Sequence, residues 1–172
     1  MKPNELREMS AENLESKLAE VLGLAMAAQD ATRQVRGMLD SKHEALAAKL
    51  EQAGEEARET QERCTALAGT FDGKKTAIVE EARSVKQEAT EMREAYLGGE
   101  DDPLDGFEFL TMAEAGEVGH WSIVAKMNER AGHADLQTLC DWALPIQQRH
   151  LQEVLDGSLK LAADEDPDEE AS

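Results

Sequence analysis

From Leu14 to Leu161 the apolar and small residues of this chain recur every three or four positions, and no stretch alternates at the period of a strand. That spacing restricts the chain to helices, each presenting one stripe to a common core. Composition agrees: Ala, Glu, Leu and Lys dominate, aromatics are 3%, and there are four Pro. The sequence therefore predicts an all-α protein.

The first helix carries Leu14, Leu18, Val21, Ala25, Ala28, Thr32, Val35 and Leu39 on one seam, with Ser10 or Asn13 as its cap. Ala25, Ala28 and Thr32 are small enough for a neighbouring helix to approach closely. Asp40-Ser41 reads as a turn, and Ser41-Lys-His-Glu44 fits a capping box. A second helix follows with Leu46, Leu50, Ala53, Ala57, Thr60, Cys64 and Leu67. His43 continues the seam without a phase break, so residues 14–67 read either as a hairpin or as one helix of roughly 80 Å, the length of a coiled-coil scaffold.

Gly69 to Lys75 is a loop, and a third helix carries Ile78, Ala82, Val85, Ala89, Met92 and Tyr96 before Gly98-Gly99. Asp105-Gly-Phe-Glu108 is a second capping-box candidate. The fourth helix has two mostly apolar seams: Phe109, Ala113, Gly116, His120, Ile123 and Met127, and beside them Phe107, Leu110, Glu114, Glu117, Trp121 and Val124. Both seams are expected to be buried. Ala131-Gly132 ends that helix. The last carries Leu136, Cys140, Ala143, Gln147, His150, Val154 and Leu161, widened by Leu144, Leu151, Leu155 and Leu159, with a kink expected at Pro145. The expected organisation is a frayed segment 1–9, a helical domain 10–163 and an acidic, disordered tail 164–172. Two helical hairpins, joined by a connection that holds its own helix, predict an antiparallel four-helix bundle with one additional helix.

The formal net charge of -19 opposes contact with phosphate backbones and anionic lipids. Residues 1–5 lack the apolar core of a secretory signal, and no apolar run is long enough to span a membrane. Two cysteines within helical patterns fit a reducing, cytoplasmic setting.

Polar residues inside the stripes are the chemical candidates. Glu117-Val-Gly-His120 places a carboxylate and an imidazole one turn apart, a spacing that suits iron, manganese or zinc. Gln147-Gln-Arg-His150 repeats it with an amide in place of the acid. Glu114, Glu117, His120 and His150 are thus candidate metal ligands, and Gln147 a polar core residue. The alternative is a hydrogen-bonded polar core with no metal. The seams of the first hairpin contain no carboxylate, and Glu20, Asp30, Glu59 and Glu62 only flank them. No phosphate-binding glycine loop is present, and nothing beyond residue type supports a Cys140–His nucleophile.

The order of helices, Glu59-Thr60, Gly73-Lys-Lys75 and His120-Trp-Ser-Ile-Val-Ala125 resemble the bacterial ferritin-like proteins of the YciE/YciF type (DUF892-like) over residues 10–163. The resemblance implies a stress-associated ferritin-like bundle, often a homodimer, with a di-metal site holding iron or manganese. The chain departs from that pattern at the site itself. Gly119-His120-Trp121-Ser122 stands where the family reads approximately Glu-His-x-Glu, and Ile146-Gln147 where an acidic pair is expected. The reading that follows is an accessory or interaction protein with a degenerate metal site. The alternatives are a metal-handling oxidase with a rearranged site and the elongated scaffold.

Overall fold

A computed structural model describes residues 12–171. The frayed segment 1–9 and the cap candidate Ser10 lie outside the described residues. All regular structure among the described residues is helical: α1 (Asn13–Arg36), a 3-10 turn (Ser41–His43), α2 (Glu44–Ala68), α3 (Lys75–Leu97), α4 (Pro103–Ala131) and α5 (Ala134–Ala163). None of these helices is long and apolar enough to cross a membrane. Beyond α5, residues 164–171 form exposed turns.

Local chemistry sets the helix starts, though not always at the residues expected. Glu12 caps α1 in a capping box with Glu15. Asp40, not Ser41, caps the turn before α2, its Oδ1 accepting from the Lys42 amide at 2.9 Å. Asp102, not Asp105, caps α4 and accepts from the Leu104 amide at 2.8 Å. Pro103 explains that shift, because a proline in the first turn wastes no donor and its fixed φ suits a helix start. At the other end of α4, Gly132 takes φ 72°, and buried Asn128 clamps the turn: its Oδ1 accepts from the His133 amide at 3.1 Å and its Nδ2 donates to the His133 carbonyl at 3.0 Å. The last helix continues through Pro145, whose missing donor falls on an exposed face.

Residues 14–67 form a hairpin, which excludes the single long helix. Gln29 Nε2 donates to Gln61 Oε1 at 2.6 Å, and Arg36 lies 3.7 Å from Glu51, so α1 and α2 run antiparallel. α4 runs antiparallel to α1, with His120 beside Glu20 and Gly106 beside Val35. α5 returns along α4, Ser158 meeting Thr111 at 3.1 Å, and also runs antiparallel to α2, with Gly157 beside Leu46. The remaining helix, α3, runs in the same direction as α1: Ser16 Oγ donates to Glu81 at 3.1 Å and Lys86 lies 3.8 Å from Asp30. Thus α1 packs against α2, α3 and α4, and α5 against α4 and α2.

Two glycines permit these approaches. A Cβ on Gly23 would lie 2.4 Å from the Ala82 carbonyl oxygen of α3, and one on Gly157 would lie 2.4 Å from the Phe107 ring of α4. The apolar core falls into two clusters. Leu18, Leu22, Cys64, Ile78, Trp121, Leu136 and Cys140 build one. Val35, Leu46, Leu50, Leu97, Phe107, Leu110 and Val154 build the other. Between the two clusters the buried residues of α4 and α5 are polar: Glu114, Glu117, Gln147 and His150.

Two expected stripes are only partly buried. On α3, Ile78 and Ala82 are covered, but Met92 is 61% and Tyr96 48% exposed. On α4 the seam of Glu114 and Glu117 faces inward, while the seam of His120 turns outward after Phe109, leaving Ile123 exposed. The cause is side-chain size. Ala27, Ala28 and Ala31 of α1 cannot fill the space between α3 and α4, and a cleft of about 230 Å³ remains. On α5, Leu155 and Leu159 are likewise exposed.

Candidate functional site

Between the apolar clusters, α4 supplies Glu114 and Glu117, and α5 supplies Gln147 and His150, all four buried. The Gln147 side-chain amide donates to Glu117 Oε2 at 2.6 Å and to Glu114 Oε2 at 3.1 Å. His150 places Nδ1 3.8 Å from Glu114 Oε2 and Nε2 3.2 Å from Glu56 Oε1 of α2. Arg149 forms an ion pair with Glu56 and lies 3.5 Å from Glu153. The network therefore runs from Glu117 through Gln147, Glu114 and His150 to Glu56 and Arg149, across three helices. Beside this layer α1 contributes Ala28, whose carbonyl accepts from the Thr32 hydroxyl at 2.8 Å.

Burial dominates the electrostatics. Desolvation, and then the neighbouring Glu117, hold Glu114 well above the ordinary carboxyl range. Desolvation pushes Glu117 up to about 7, against hydrogen bonds from Glu114 and Gln147 that favour its charged form. Two acids this close in a dry layer share one proton more readily than they hold two charges. Burial also lowers the His150 pKa, which favours the neutral ring. Since a carboxylate only accepts, Nε2–H donates to Glu56 and the Nδ1 lone pair faces Glu114.

The structure brings Glu114, Glu117, Gln147 and His150 together, and leaves His120 apart from that network. His120 is half-exposed, and its Nδ1 lies 2.9 Å from Glu20 Oε2. Glu20, which flanks its seam, is thus an imidazole partner and also pairs with Lys17 at 2.9 Å. The other flanking acids pair along their own helices, Asp30 with Arg33, Glu59 with Arg63 and Glu62 with Arg58, and Asp30 also faces Lys86 of α3 at 3.8 Å. Glu56 and Arg149 were not singled out from the sequence. The usable signal was spacing, because Glu56 sits three residues after Ala53 and four before Thr60, beside the seam.

A di-metal centre does not fit this donor set. Gln147 turns N–H groups, not lone pairs, toward the space between the carboxyls. Among the described residues no group of three His, Cys, Asp or Glu side chains is arranged to hold a metal ion. A cysteine nucleophile finds no support either. Cys64 and Cys140 are free and buried, and desolvation pushes the Cys140 thiol up to about 11.

Comparisons with family models, curated proteins and solved structures yield no match. What fold and site define together is an all-α protein with a carboxyl–amide–imidazole network at its middle.

Proposed function

We propose that this chain is a ferritin-like four-helix bundle without a standard di-iron centre, acting as a stress-associated accessory or interaction protein. The closed ring of contacts α1–α2–α5–α4 supports the bundle, and α3 supplies the long crossover that makes α2 and α4 run in the same direction. The observation that carries the loss of the metal centre is the Gln147 amide donating to both Glu114 and Glu117. Such a network positions helices through hydrogen bonds rather than through bound cations. The stress association and a homodimeric state rest on the family resemblance. Two free, buried cysteines support a reducing, cytoplasmic setting, and the -19 charge supports a partner other than nucleic acid or membrane.

Metal content tests the proposal. Protein purified without added metal or chelator, and again after anaerobic iron addition, is measured by elemental mass spectrometry beside His120→Ala and His150→Ala. Sub-stoichiometric metal in every sample is the expected result. Tight stoichiometric iron with oxidase activity would sink the proposal. Metal lost in His150→Ala but kept in His120→Ala would instead favour a rearranged site around Glu114, the one candidate ligand that lies near His150.

A further inference from the structure

The cleft between α1, α3 and α4 is not explained by the network alone. Its α1 wall is Leu24 and three alanines, Ala28 and Ala31 among them; Ala89 and Met92 of α3 and Phe109 of α4 face it, and Glu114 and Glu117 reach it from the core side. Its volume of about 230 Å³ exceeds that of dry cavities, around 150 Å³, that hold a benzene ring. A ligand of roughly ten non-hydrogen atoms would fit.

We propose that this cleft binds a small apolar organic amine, its ammonium group against Glu114 and Glu117 and its hydrocarbon part between Ala28, Ala89 and Phe109. Charge complementarity selects the occupant. Glu114 and Glu117 hydrogen-bond each other, share one proton and take the Gln147 amide, and among the described residues no cation is paired with them within 4 Å other than the imidazole of His150 at 3.8 Å. An ammonium group brings donors and a compensating charge, while the walls take the rest of the ligand out of water. The acidic surface enriches organic cations near the cleft. His120, which also lines the cleft, is held by Glu20. Arg93 lines it as well, and its Nε is buried without a hydrogen-bond partner, a donor that an oxygen on the same ligand would meet. Neither the size of the cleft nor its alanine wall depends on the ferritin-like reading.

The test is titration of the full chain with 2-phenylethylamine, beside 2-phenylethanol as the neutral isostere and 3-phenylpropanoate as the anion, by calorimetry and by methyl NMR. One saturable site is expected, with the amine binding at least about tenfold tighter than either analogue and shifting the methyl signals of Ala28 and Ala89. Ala28→Leu and Ala89→Leu fill the cleft from opposite walls without removing a charge, and each is expected to weaken the amine about tenfold or more with helicity unchanged. Should a variant fail to fold, the methyl shifts of the parent protein decide. Equal affinity for alcohol and amine, preference for the carboxylate, absence of binding, or shifts confined to other surfaces would each overturn the proposal.

Discussion

The side-chain amide of Gln147 donates to Glu117 Oε2 at 2.6 Å, and this bond joins α5 to α4 where the apolar core is interrupted. The same amide serves Glu114. Gln147→Leu removes both donors and leaves two buried carboxyls facing hydrocarbon. We expect a loss of about 2–3 kcal/mol of stability by urea unfolding, the usual cost of stranding buried polar partners. An unchanged midpoint would show that the carboxyls find other donors.

The pH dependence of stability has a defined sign. Glu117 binds its proton more tightly in the fold, at about 7, than at its ordinary 4.5. Between those values the folded chain holds more protons than the unfolded one, so this acid's contribution is complete below the lower value and is lost as pH rises through the upper. His150, lowered from 6.5, acts in the opposite sense, and its contribution is lost as pH falls below that value. Glu117→Gln removes the first effect, weakens the like-signed effect at Glu114 and leaves that of His150 in place. The stability of the variant relative to the parent should therefore climb from pH 5 to pH 8, by up to about 3 kcal/mol. A difference that stays flat would mean that Glu117 is charged throughout.

His120 and His150 should respond very differently to truncation. His150 is buried against Glu56 and Glu114, whereas His120 is half-exposed beside Glu20. His150→Ala should cost about 2–4 kcal/mol and His120→Ala under about 1 kcal/mol, read from thermal or urea midpoints. Similar losses at both positions would place His120 in the core after all.

Gly157→Ala tests the contact between α4 and α5. Its new methyl would meet the Phe107 ring at 2.4 Å. Overpacking of this kind typically costs about 1–3 kcal/mol. Phe107→Leu in the same chain should recover part of the loss; if it adds to the loss instead, the clash lies elsewhere.

Much of this arrangement could be read from residue spacing. The stripe from Leu136 to Leu161 places Gln147 and His150 inside as its spacing predicts, while Leu155 and Leu159 of the seam beside it lie exposed. The misplacement of His120 has a physical origin. α4 carries two apolar seams side by side, and periodicity cannot tell which of them a neighbour will cover. The neighbour's size decides it, and α1 offers mostly alanines there. Glu56 flanks its seam, and an acid beside a stripe looks solvated until a partner such as His150 meets it. Cap positions moved for a local reason: the Asp102-Pro103 pair starts a helix better than Asp105 does.

The division of the core into two apolar clusters has a consequence for how the molecule opens. Contacts within each cluster are cohesive and non-directional, whereas the layer between them holds only while its hydrogen bonds keep their geometry. Cooperativity should be weakest there. The half containing Phe107, Val154 and Leu161 can then loosen, with amide hydrogens exchanging, while the half containing Trp121, Leu136 and Cys140 stays closed. Such a molecule would unfold as two coupled blocks, and any partner that favours one opened block would reset the other through Gln147.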